Sequence, residues 1–152
     1  MHRPAALVAL ALIAVTACGG REEPPLEAAC TTSPGAIERA LARAPAPVTL
    51  AGGTRLSDCV AHARTGADLQ NAGAVLTGAA EHLAVRARRG DARAGLALGN
   101  LVGATRRGAA RTPGLQAQLA RRMESAAAFV DEGGTAVAAA LERGLRAGRA
   151  TG

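Results

Sequence analysis

The sequence predicts an all-α fold, a small antiparallel helical bundle of about four main helices preceded by two short N-terminal ones. Apolar residues recur at helical spacing from residue 68 to residue 150, and Ser-Pro, Thr-Pro, capping-box and Asp signals open segments that Gly or Pro then close. The connections are short, which favours antiparallel neighbours, so residues 67 to 150 read as an up-down four-helix bundle.

In chain order, Ser33-Pro34 opens the first helix, with Ser as N-cap and Pro at the first position; Ile37, Ala40, Leu41 and Ala44 share a face, and Pro45 and Pro47 end it. Val48-Thr49-Leu50 alternates like a strand, but one short strand without a partner reads better as a connector across the bundle end. A second short helix spans about Ser57 to Arg64. Thr65-Gly66-Ala67-Asp68 carries the capping-box pattern, and the third helix runs from Asp68 to Arg88 with Leu69, Leu76 and Leu83 seven apart. Gly90 ends it and Asp91 caps the fourth, where Leu98, Leu101, Val102 and Thr105 share a face up to about Arg107. Thr112-Pro113 repeats the cap-plus-proline signal for a fifth helix lined by Leu115, Leu119, Met123, Ala126 and Val130 and broken at Gly133-Gly134. Val137, Leu141, Leu145 and Gly148 mark a sixth, expected to fray near the C-terminus.

Composition shapes the core this bundle can have. The chain is 49% apolar, but Ala, Leu, Val and Gly supply nearly all of that and Phe129 is the only aromatic. At about 25 cal/mol per Å² of apolar surface removed from water, Ala contributes little, so stability has to come from close backbone approach and many shallow contacts. Gly95, Gly99 and Gly103, four apart, form a stripe that lets another backbone come close; tight packing inside the bundle is the favoured reading and self-association the other. Gly144 and Gly148 carry the same two readings with less weight.

All eighteen basic residues are Arg. The lack of Lys removes Schiff-base chemistry and any P-loop, and the lack of Trp and Tyr removes the usual stacking platforms, so nucleic acid is not an expected partner.

The N-terminal residues carry the one family resemblance. Met1, His2 and Arg3 precede an uncharged run from Ala5 to Val15, too short to span a bilayer, and Val15-Thr16-Ala17-Cys18 follows. This resembles a bacterial lipoprotein signal peptide ending in its lipobox. The resemblance implies that Cys18 takes a diacylglyceryl group and becomes the mature N-terminus, and that the chain is held by its lipid in the cell membrane or envelope, on the extracytoplasmic face. Gly19 lacks the Asp that marks inner-membrane retention in Gram-negative lipoproteins. The implied organisation is a signal peptide at 1–17, an acidic Pro-containing tether at 18–32 and a single helical domain at 33–152. Lipidation of Cys18 leaves Cys30 and Cys59 as an even pair, and export makes a disulfide between them the expectation, with two free thiols as the alternative.

After cleavage the chain would carry 17 arginines against 12 acids, a net +5. The up-down order sends the ends of the third and fifth helices to one pole, where Arg86, Arg88 and Arg89 should meet Asp131 and Glu132 in near balance. The ends of the fourth and sixth gather Arg106, Arg107, Arg111, Arg146 and Arg149 at the other, with no acid in either terminal turn. That pole is the candidate contact for an anionic lipid or envelope polymer; a solvated, dipole-matched surface is the ordinary alternative.

Enzymatic readings are weaker. A metal or hydrolytic site would need His62, His82 and acids such as Asp58 to converge, no HExxH or GxSxG pattern is present, and Ser57, Asp58 and His62 on one short helix cannot align nucleophile, base and orienter. Met123 lies on an apolar stripe and reads as core rather than a haem ligand. The expectation is therefore a membrane-anchored lipoprotein with a binding or envelope-structural role, without cofactor or metal and without enzymatic activity.

Overall fold

A computed structural model describes residues 25–152 apart from 111, 113 and 129 and the side chain of 131. The described residues form six helices: α1 (Pro34–Leu41), α2 (Leu56–Ala61), α3 (Gly66–Arg88), α4 (Ala92–Ala109), α5 (Leu115–Ala127) and α6 (Thr135–Thr151). They contain no strand, only an isolated antiparallel bridge between Thr49 and Arg55, so the Val48–Leu50 segment is a connector. It is a packed one, because Val48 and Leu50 are both buried.

Side-chain caps set three of the six helix starts. The Ser33 hydroxyl accepts from the Ala36 amide at 3.2 Å, and Pro34 stands at the first helical position. Thr65 and Asp68 form a complete capping box, with the Asp68 amide donating to Thr65 Oγ1 at 3.0 Å and the Thr65 amide donating to Asp68 Oδ2 at 3.2 Å. Hydrogen bonds to its carboxylate from the Thr65 hydroxyl, first, and then from the Thr65 amide hold the Asp68 pKa below the usual range. Asp91 caps α4 by accepting from the Arg93 and Ala94 amides at 2.9 and 3.0 Å.

The fifth helix departs from expectation at both ends. Gly114, at φ 104°, is its N-cap and offers no side-chain bond, while Thr112 Oγ1 instead points back to the Ala109 carbonyl. A left-handed φ is open to Gly at little cost, so the turn rather than Thr112 sets the start. Leu115, expected to line the core, is exposed. Val130 is fully buried, but from a separate 3-10 turn, Val130–Gly133, that follows α5. The sixth helix, expected to fray, stays helical through Thr151.

The helices do not form a square four-helix array. α4 lies at the centre and packs on α2, α3, α5 and α6, and residues on nearly every side of it are buried. α6 packs chiefly on α4, with additional contacts to the Val130–Gly133 turn. The glycines explain this pairing. A Cβ on Gly95 would lie 3.1 Å from the Val137 carbonyl oxygen, one on Gly99 would overlap the Leu141 carbonyl, and one on Gly103 would overlap that of Leu145. From the other side, Gly144 lies against Leu96 and Asn100, and Gly148 against Asn100 and Ala104. Residue numbers rise together along both helices, so α4 and α6 run parallel, with backbones in direct contact through two interleaved glycine stripes. Asn100 is fully buried at this junction, and its side-chain amide has no hydrogen-bond partner among the described residues.

At the N-terminal end, Cys30 is buried in a 3-10 turn, Ala28–Thr31, and bonded to Cys59 of α2 across a sequence separation of 29. The fold therefore already includes Cys30, ahead of the residue-33 boundary the sequence suggested. Met123 is fully buried, a core residue.

Candidate functional site: an arginine cleft

α2 and the C-terminal ends of α4 and α6 enclose an open cleft of about 660 Å³. Arg55, Ser57, Asp58 and Ala61 line it from the α2 side, Arg106, Arg107, Gly108 and Ala110 from the end of α4, and Arg149 from the end of α6. Glycine builds both walls. A Cβ on Gly108 would overlap the Ser57 carbonyl and come within 2.8 Å of Val60 Cβ, so α2 sits directly on α4. The α4–α6 stripe carries the last turn of α6 to the same place.

Three of the four guanidinium groups are held in defined positions. Arg107 Nη1 donates to the carbonyls of Arg149 and Ala150, at 2.9 and 2.6 Å. These lie in the last turn of α6, where free carbonyls and the helix dipole favour a cation. Arg55 makes a two-point contact to Asp58, Nε to Oδ2 at 2.9 Å and Nη2 to Oδ1 at 3.1 Å, which raises the Arg55 pKa. Arg106 Nε donates to Glu124 of α5. Arg149 has no acidic partner among the described residues. Asp58 and Glu124 thus offset two of the four cationic charges, and the cleft stays positive.

The structure brings together Arg106, Arg107 and Arg149 of the five arginines singled out in the sequence. Arg146 is exposed on α6 outside the cleft. Arg111, Cys18 and the rest of the signal segment lie outside the described residues. Sequence reasoning missed Arg55, Asp58 and Glu124 as members of this pole; each comes from an element far along the chain, and no local pattern marks them. The terminal turns of α4 and α6 contain no acid, as expected, but α2 and α5 each bring one to this pole.

The opposite pole is balanced by different residues from those expected. Arg86 pairs with Asp91 at 2.8 Å and reaches Glu38 at 3.6 Å, and His82 Nδ1 lies 3.0 Å from Glu38. Asp91 and Glu38 meet Arg86, while the side chain of Asp131 lies outside the described residues. The backbone amides of α4 first, and then Arg86, hold the Asp91 pKa below the usual carboxylate range.

The residues of the enzymatic reading do not converge. His82 engages Glu38, Asp58 engages Arg55, and Ser57 Oγ is 3.5 Å from Asp58 with no histidine in line. Among the described residues no group of three or more His, Cys, Asp and Glu could hold a metal ion, and no helix is long and apolar enough to cross a membrane. Comparison with protein-family models, curated proteins and solved structures finds no match.

Proposed function

We propose that this chain is a lipid-anchored lipoprotein on the extracytoplasmic face of the cell membrane or envelope, with a non-enzymatic binding or envelope-structural role. The Cys30–Cys59 bond is the observation that carries the reading, since structural disulfides persist where chains are exported and are rare in the reducing cytosol. It agrees with the lipobox-like Val15-Thr16-Ala17-Cys18, an independent feature of the sequence. Membrane contact then runs through the lipid on Cys18, and the role needs no cofactor.

Metabolic labelling with a radioactive fatty acid tests the anchor. Wild type should incorporate label and Cys18→Ala should incorporate none, because the thioether forms on that thiol. Equal labelling of the two would remove the lipoprotein reading. A second reading, a basic module that docks on anionic lipid or envelope polymer, is favoured by one feature: Arg106 and Arg107 at the end of α4 and Arg149 at the end of α6 line one cleft with Arg55 at the start of α2.

A further inference from the structure

We propose that the cleft between α2, α4 and α6 is a binding site for a phosphate group, with Arg107 and Arg149 as its principal ligands and Arg55 and Arg106 on its flanks. This rests on, and narrows, the reading of the basic pole as an anion-docking surface.

Ligand class follows from the lining. Guanidinium groups from three separate elements converge on one concavity, an arrangement suited to a tetrahedral anion with several acceptor oxygens, whereas one two-point contact satisfies a carboxylate. Arg107 is already oriented, since Nη1 is held by the two α6 carbonyls while its Nε and Nη2 donors have no partner among the described residues. Arg149 brings a further cation with no acid beside it among the described residues. Asp58 and Glu124 are the carboxylates that oppose an anion here, and each is engaged by its own arginine. Among the described residues no large apolar side chain lines the cleft, only Ala61, Gly108 and Ala110 beside the arginine stems, so a compact charged group suits it better than an acyl chain or a ring.

The tether supplies the link to the envelope. The disulfide fastens Cys30 to Cys59 on α2, the helix that forms one wall of the cleft. At no more than about 3.6 Å per residue, the stretch from Cys18 to Cys30 reaches at most about 43 Å, so on a lipid-anchored chain Cys30, bonded to the α2 wall of the cleft, stays within that distance of headgroup phosphates. The phosphate could equally belong to a soluble ester, and the two sources separate in one experiment.

The full chain in neutral detergent micelles is titrated calorimetrically with inorganic pyrophosphate and, separately, with short-chain phosphatidylglycerol, phosphatidylcholine serving as the zwitterionic control. Binding should weaken about tenfold in Arg149→Gln and further when Arg107→Gln is added, while Arg88→Gln/Arg89→Gln at the other pole leaves it unchanged. Because the Arg149 side chain has no acidic partner among the described residues and its backbone carbonyl is kept, Arg149→Gln should melt like wild type and separates loss of the site from loss of the fold. Pyrophosphate bound as well as phosphatidylglycerol assigns a soluble phosphate; phosphatidylglycerol bound selectively over both pyrophosphate and phosphatidylcholine assigns a headgroup. Equal affinity in wild type and Arg149→Gln for both probes, or no binding of either at low salt, overturns the site. Arginine-dependent binding in a chain that is not acylated at Cys18 would leave the site standing and remove the anchor.

Discussion

The two walls of the arginine cleft are fastened to α4 by different means. α2 has six residues, too few to be stable alone, and it is held by the large buried side chains Leu56 and Val60 and by a covalent bond from Cys59 to Cys30. α6 has seventeen residues and no cross-link. It buries only Val137, Ala140 and glycines in full, with Leu141 and Leu145 partly covered, and relies on backbone lying against backbone along α4. The chain has a single aromatic residue, and along α6 it does not rely on bulky side chains. It crosslinks the short element and docks the long one through glycine, where many close atom pairs each add a little dispersion energy.

That contrast can be broken one wall at a time. Replacing Cys30 and Cys59 by Ser frees a loop of 29 residues and should lower unfolding free energy by about 3–4 kcal/mol on the chain-entropy model, read from urea denaturation of the full chain. A loss below about 1 kcal/mol would show that side-chain packing alone holds α2. Gly99→Ala should cost about 1–3 kcal/mol, since its methyl overlaps the Leu141 carbonyl of α6 and neither backbone can yield without separating the helices. Gly73→Ala in α3 is the matched control. Its methyl would meet only Leu119 Cδ1 at an ordinary 3.6 Å, so it should be neutral or stabilise by up to about 1 kcal/mol through helix propensity.

The smallest effect lies away from both walls. Asp91→Ala removes the α4 cap and should cost about 1 kcal/mol. Asp91 and Asp68 both have lowered folded-state pKa values, so their contribution is complete above the unfolded carboxylate pKa and is lost as pH falls through the folded one. Thermal melts should therefore decline below about pH 4, less steeply in Asp91→Asn. An unchanged acid profile in that variant would contradict the assignment.

What was legible in the sequence follows the same division. The caps at Ser33, Thr65 and Asp91 form between residues two or three apart, so their patterns could be read directly. The glycine stripe of α4 and the Gly144/Gly148 pair of α6 were both visible as spacing, but their packing on each other was not, because parallel pairing of these helices requires α5 to pass between them in sequence and not in space. The centrality of α4 was hidden too: periodicity marks one apolar face, whereas Ala and Gly let the other faces bury as well. In the cleft, the arginines at the ends of α4 and α6 followed from the up-down order, while Arg55, Asp58 and Glu124 arrive through tertiary packing. The exposure of Leu115 has the same origin, since where α5 meets its neighbours decides which of its leucines are covered.

The central claim is that close packing through the glycine stripes seats α6 on α4 and so forms the second wall of the cleft. Backbone amide hydrogen exchange on Gly99→Ala against wild type tests it most directly. The account predicts that protection falls selectively along α6, from Val137 to Gly148, while α1, α2 and α3 keep theirs; protection lost evenly across all six helices, or retained throughout α6, would contradict it.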